Sequence, residues 1–168
     1  MRGAAALAAI LAAIALQTTL SSLMLQRGTA IDLVLIVVVY VAIKSGPVTG
    51  LLAGTVAGLL QDALSSGVLG IGGLAKTIVG FLAGVLGTQF IVTAPLPRFL
   101  LLLVATALHA AIFMGLYTIL NLRQFPAPYP QIVTQALGNA FVGVVGFQLV
   151  EWFPGFVDRR RAGRSLKR

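Results

Sequence analysis

Cysteine is absent from the 168-residue chain, and charged residues make up only 10% of it. The lack of thiols excludes disulfides, thiol nucleophiles and cysteine-ligated metals. Four acidic residues and one histidine leave little material for a metal site or for acid–base catalysis. The chain also lacks a P-loop, a nucleophile elbow and an H-E-x-x-H motif. We therefore expect no enzyme activity, no metal site and no cofactor.

Apolar residues, in contrast, are abundant: they form 58% of the chain, and the mean hydropathy is +1.01. Soluble domains are about 45–50% apolar and about 25% charged. A hydrocarbon core about 30 Å thick requires about 20 apolar residues per helix. The sequence thus predicts an all-α, polytopic membrane protein of about six transmembrane helices. We expect one transmembrane domain over residues 1–158 and a basic tail over residues 159–168.

Six apolar segments alternate with short breaks rich in glycine, proline, serine or charge. They cover residues 3–25, 31–43, 48–64, 71–92, 99–120 and 132–153. The first is predicted to be a retained helix, because no small-residue cleavage pattern follows it. The second and third are short and flank Lys-Ser-Gly-Pro at 44–47, where proline interrupts a helix. They form either a tight hairpin of two spans or two partial spans.

The net charge of +8 is concentrated near the end of the chain. Six of the twelve basic residues lie in the last ten positions: Arg159, Arg160, Arg161, Arg164, Lys167 and Arg168. This pattern is typical of a cytoplasmic anchor that meets anionic lipids, and it does not indicate nucleic-acid binding. With six spans, nine basic residues share one side and only Arg27, Lys76 and Arg123 lie on the other. The positive-inside rule then predicts a multi-pass membrane protein with both termini in the cytoplasm.

Glycines recur at helical spacing in the third and fourth segments. The candidates for close helix packing are Gly50, Gly54, Gly58, Gly80 and Gly84. In lipid, helices associate through van der Waals contact, and small residues let two backbones approach. The glycine faces receive either another helix of the same chain or a partner helix.

Three charged residues are predicted to gather near the outer surface. Lys76 lies about six residues into the fourth segment, where an ionisable group is costly unless it is paired, hydrated or able to snorkel. Asp62 is its expected partner, and Asp32 falls at the same level. The cluster is a structural ion pair or a functional site, or else each side chain simply snorkels. His109 lies among apolar residues and is expected to be neutral and hydrogen bonded.

A polar stripe and a proline-rich loop complete the candidates. Gln131, Gln135 and Asn139 recur every four residues in the last segment, so they should face other helices or contact a ligand. Residues 121–130 contain three prolines. They predict a stiff loop at the outer interface or a segment that docks a partner.

Several short motifs resemble those of the rod shape-determining protein MreD family. They are AIDLVL at 30–35, the Gly-Pro break at 46–47, GLLQDALSSG at 58–67 and LAKT at 74–77. Ile31 stands where the family commonly has proline, and an extra serine lies between Asp62 and Gly67.

The resemblance implies a non-catalytic scaffold of the cell-wall elongation complex, located in the bacterial inner membrane. Such a protein docks MreC directly, and through it associates with the MreB filament and the peptidoglycan polymerase and transpeptidase. The family's fold is similar to the six-helix substrate-binding subunits of energy-coupling-factor vitamin transporters. An alternative function is therefore that of such a subunit, favoured by alanines at spacing four, as at Ala4, Ala8 and Ala12.

Overall fold

The computed structural model describes residues 3–23, 31–65, 67–90, 94–122 and 129–165, with side chains omitted at 21–23 and 153–165. Over this part of the chain the structure contains six helices and no strand. They are α1 (Gly3–Leu23), α2 (Leu33–Ser45), α3 (Pro47–Leu64), α4 (Ile71–Gln89), α5 (Pro95–Ile119) and α6 (Tyr129–Ser165). The prediction of an all-α polytopic protein is confirmed.

α2 is the central helix of the bundle. Each of the other five helices contacts it, and around it they follow the order α1, α3, α4, α5, α6. Seven of its thirteen residues are buried, and most of these are valine, leucine or isoleucine. One core cluster joins α2 to α4, α5 and α6, and a second joins it to α1 and α3. A helix that is apolar on nearly all sides is expected at such a buried position.

Five helices are long and apolar enough to cross a membrane, whereas α2 has only 13 residues. At 1.5 Å per residue α2 is about 20 Å long, which is shorter than a hydrocarbon core of about 30 Å. The expected six spans are thus five long helices around a short, enclosed one. Gly46, with φ of +88°, turns the chain after α2, and Pro47 begins α3 without losing a hydrogen bond.

α3 and α4 form the closest helix pair in the bundle. A Cβ atom added at Gly54 would overlap the carbonyl of Lys76, and one at Gly58 would lie 2.5 Å from the Cα of Gly73. Across the same contact, the hydroxyls of Thr55 and Thr77 are 2.8 Å apart. The missing side chains therefore let the two backbones touch, as the glycine spacing predicts.

Consecutive helices run in opposite directions, which gives the bundle two ends. At the Asp32 end, α2 and α4 begin and α1 and α3 finish; at the Lys44 end, Lys44 meets Glu151 near the end of the α6 span. α1 starts at the Lys44 end too. The α6 backbone continues to Ser165, so the helix extends into the predicted tail. Arg27, Arg123, the tail side chains and most of the predicted proline loop lie outside the described parts.

Candidate functional site

A buried ion pair marks the Asp32 end of the bundle. Lys76 Nζ on α4 donates to Asp32 Oδ2 across 2.8 Å, and their side chains are 3% and 6% exposed. Asp32 also caps α2, because its Oδ1 accepts from the backbone N–H of Leu35 at 2.9 Å. The same carboxylate thus starts the central helix and balances a lysine on its neighbour.

His109 and Asn139 extend this pair across α5 and α6. His109 Nε2 lies 3.2 Å from Lys76 Nζ. An ammonium has only donors, so Nε2 accepts and the imidazole proton is on Nδ1. Asn139 accepts from the backbone N–H of Asp32 at 2.7 Å and donates to Thr106 at 3.1 Å. These five residues, called here the buried polar network, connect α2, α4, α5 and α6.

Asp62 occupies a different position from the one predicted. We expected it to pair with Lys76, but Lys76 pairs with Asp32, so that prediction is wrong. Asp62 Oδ2 instead accepts from the backbone N–H groups of Gly70 and Gly73, at 2.9 and 3.0 Å. A carboxylate is stabilised there, because the first N–H groups of a helix lack partners within the helix and carry partial positive charge.

A cavity of about 270 Å³ lies beside the Lys76–Asp32 ion pair and the Asp62 carboxylate. Asp32, Asp62 and Lys76 all line it, so the three predicted residues share one site although only two form an ion pair. The cavity lies at the start of α2, whose 13 residues extend from there to the Lys44 end of the bundle. Asp32, the N-cap of α2, faces Lys76, the sixth residue of α4, and side chains from α1, α3, α5 and α6 form the rest of the described wall.

The predicted glycine faces lie inside the bundle. Gly50 and Gly80 abut each other's carbonyls, and Gly54 and Gly58 pack against α4. A Cβ at Gly84 would lie 2.5 Å from the Cα of Pro47. The contact within the chain thus occupies all five glycines, and none of these faces is available to a partner helix.

The polar stripe on α6 has three different environments. Gln131 is exposed near the start of α6, Gln135 lines the cavity, and Asn139 is completely buried in the polar network. On α1, Ala4, Ala8 and Ala12 are exposed. Among the residues that the structure describes, no group of three or more His, Cys, Asp or Glu side chains could hold a metal.

A second charged cluster, which the sequence did not predict, lies at the Lys44 end. Glu151 accepts from Lys44 at 2.7 Å and from both terminal nitrogens of Arg98 at 2.8 Å. The Arg98 guanidinium is buried and lies 5.3 Å from the ring centre of Phe147. These residues are 53 or more positions apart, so no local motif indicated them; an acidic residue near the end of the last apolar segment was the only signal.

Fold and site together define a polytopic helical membrane protein with a buried ion pair near one end of its bundle and a partly exposed charged cluster near the other. The sequence model of the rod shape-determining protein MreD matches residues 3–151, nearly the whole chain. The chain therefore belongs to the MreD family and is a rod shape-determining membrane protein. Neither the curated proteins nor the solved structures provide a significant match. The likeness to energy-coupling-factor subunits stays a prediction.

Proposed function

We propose that this protein is a non-catalytic scaffold of the cell-wall elongation complex that docks the transmembrane helix of MreC. MreB and the peptidoglycan polymerase and transpeptidase join the same complex through that contact. Membership of a rod shape-determining family supports this function over that of a vitamin transporter subunit. The single observation that carries it is an opening in the ring of helices around α2.

The opening lies between α1 and α6. Among the described residues, no Cα atom of α1 comes within 8 Å of one on α6, although both helices contact α2. Leu33, Val37 and Tyr40 of α2 remain partly exposed, while most of the residues between them are buried. We call this stripe the α2 seam. Its members are spaced i, i+4 and i+7, so they share one helix face.

The α2 seam runs along the junction of the two core clusters. Leu33 and Tyr40 pack against both clusters, the one built on α1 and α3 and the one built on α4, α5 and α6. A helix lying on the seam would therefore contact both halves of the bundle. Membrane helices associate by van der Waals packing, and a groove with a preformed apolar floor suits one added helix.

Charge supports an orientation with both termini in the cytoplasm of the inner membrane. Lys44 and Arg98 lie at the same end as the start of α1 and the end of the α6 span. The basic tail that follows residue 158 would meet anionic lipids there. Lys76, the one described basic residue near the opposite end, is neutralised by Asp32.

Cysteine cross-linking tests this docking site, because the natural chain has no cysteine to remove. Val37→Cys is co-expressed with MreC variants that carry single cysteines along the transmembrane helix. Val104→Cys is the matched control, since Val104 is 58% exposed on α5, far from the seam. We expect Val37→Cys to form disulfides at MreC positions three to four residues apart, and the control to form none.

The proposed docking site would be wrong if the complex copurified intact while Val37→Cys formed no disulfide with MreC, or formed no more than Val104→Cys. A disulfide between two copies of this chain would show that a second copy, and not MreC, occupies the groove. In cells, Val37→Trp should fill the groove and produce rounded cells with normal amounts of the protein in the membrane. Normal rods would contradict a role for the seam.

A further inference from the structure

The cavity at the Asp32 end is lined by hydrogen-bond acceptors that the packing of the helices does not require. Gln61 lines it, and the Gln61 side-chain oxygen is buried without a hydrogen-bond partner among the described residues. Buried polar atoms in native proteins nearly always have a partner, so the amide of Gln61 would gain a hydrogen bond by turning toward a donor bound in the cavity that it lines. The two hydrogen bonds described for Asp62 both use Oδ2, which leaves Oδ1 as a second acceptor.

The charge of the cavity wall selects against anions. Its described charged groups are the carboxylates of Asp32 and Asp62 and the ammonium of Lys76, while His109 is neutral because Nε2 accepts from Lys76. The formal sum is therefore −1. The Lys76 charge is already matched by Asp32 at 2.8 Å, so Lys76 is not available to an anionic ligand.

Aromatic rings form another part of the wall. Along α5, the ring centres of His109 and Phe113 are 5.9 Å apart, and those of Phe113 and Tyr117 are 4.8 Å apart. Phe113 and Tyr117 line the cavity. The faces of such rings attract cations, most strongly where water is excluded.

We propose that this cavity binds a primary ammonium group, R–NH3⁺, with Gln61 and Asp62 as hydrogen-bond acceptors and the rings of Phe113 and Tyr117 against the cation. An ammonium supplies the N–H donors that the two acceptors lack and a charge that balances the wall. The cavity lies at one end of the bundle, at the depth of lipid headgroups if α3 and α4 cross the membrane. The ammonium could therefore belong to phosphatidylethanolamine or to a soluble amine.

The test uses the full-length protein, purified in detergent and stripped of lipid, with native mass spectrometry of bound lipid. Phosphatidylethanolamine, phosphatidylcholine and phosphatidylglycerol of identical acyl chains are compared. Phosphatidylcholine carries a cation without N–H donors, and phosphatidylglycerol carries no cation. We expect the ethanolamine lipid to bind about tenfold more tightly than either, as one charge-assisted hydrogen bond would give. Equal binding of the three lipids would overturn the proposal.

Two variants locate the binding. Gln61→Leu should reduce the preference for the ethanolamine lipid, while Gln148→Leu, the same change at an exposed position on α6, should not. If Gln61→Leu does not fold, Asp62→Asn replaces it, because asparagine retains an oxygen for the backbone donors but removes the charge. An unchanged preference in the folded variant would refute the site. Competition by free ethanolamine identifies a soluble amine as sufficient, whereas binding of the intact lipid alone identifies the lipid.

Discussion

Lys76 and Asp32, which are 44 positions apart in sequence, form a 2.8 Å ion pair that is almost fully excluded from solvent. Asp32 begins the central helix, so the pair fixes the depth at which α2 sits against α4. A buried ion pair adds little net stability relative to apolar residues, but removal of one partner leaves an uncompensated charge. The pair is therefore best tested by comparing single and double substitutions.

The first prediction concerns the two halves of this ion pair. Asp32→Asn preserves the cap on α2, because asparagine caps as well as aspartate, and so isolates the effect of the charge. Asp32→Asn and Lys76→Met should each lower the free energy of unfolding by about 3–5 kcal/mol. The double variant should lose clearly less than the sum, because neither charge remains. Thermal melting followed by size-exclusion chromatography in detergent measures the folded fraction.

Asp62 provides the control for that cycle. Asp62 accepts from Gly70 and Gly73 and not from Lys76, so Asp62→Asn combined with Lys76→Met should be close to additive. If the Asp62 cycle showed the coupling and the Asp32 cycle did not, the pairing described above would be wrong.

The second prediction concerns the contact between α3 and α4. Gly54→Ala places a methyl group against the carbonyl of Lys76, so the helices must separate and the protein should lose at least 1–3 kcal/mol, about the cost of overpacking a core. Gly115→Ala is the matched control, since a Cβ there meets nothing within 4 Å. The control should be neutral or more stable by about 0.5–1 kcal/mol, because alanine favours the helix. Equal melting temperatures for the two variants would show that the glycine contact does not limit stability.

The contrast between Gly54 and Asp62 shows how far the sequence predicted this fold. Glycine spacing can be read from the sequence of one helix, and in a membrane a groove lined by glycines is usually filled by another helix. The close pair of α3 and α4 was therefore predictable. The partner of Lys76 depends on how far α2 is shifted along α4, which only the packing of the whole bundle determines. Sequence proximity favoured Asp62, but the short α2 brings Asp32 to the depth of Lys76.

The same limit applies to the charged cluster at the Lys44 end. Lys44 and Arg98 carry a topological signal that can be read from charge counts alone. Their shared contact with Glu151 requires the end of α2, the start of α5 and the end of the α6 span to lie at one level, which is a tertiary property. His109 likewise lies among apolar residues in sequence and meets Lys76 only because α4 and α5 are neighbours.

The third prediction compares the loss of Lys44, one of the two cations that Glu151 binds, with the loss of the Glu151 carboxylate itself. Lys44 and Glu151 have side chains 38% and 36% exposed, so solvent screens their pair and Lys44→Met should cost less than about 1 kcal/mol. Glu151→Gln also removes the carboxylate that faces the buried Arg98, so it should cost more than Lys44→Met. Melting curves at low and high salt check the ranking. Strong salt sensitivity is expected only for the contribution of Lys44. A larger loss of stability from Lys44→Met than from Glu151→Gln would contradict the predicted ranking.

The last prediction concerns Asn139, the buried member of the polar stripe on α6. Asn139 is completely buried, accepts from the backbone N–H of Asp32 and donates to Thr106. Asn139→Leu removes the acceptor of the Asp32 N–H, and the expected loss is about 1–3 kcal/mol for this one buried donor. The Thr106 hydroxyl still donates to the Leu102 carbonyl at 2.8 Å.

Gln148→Leu, at an exposed position on the same helix, is the matched control and should change stability by less than about 0.5 kcal/mol. Melting temperatures in detergent distinguish the two. If both variants melted with the wild-type protein, water would have to satisfy the groups around Asn139, and the polar network would not be the rigid junction of α2, α5 and α6 that its distances indicate. A loss confined to Asn139→Leu would show that the buried amide of Asn139, and not an exposed glutamine on the same helix, stabilises this junction.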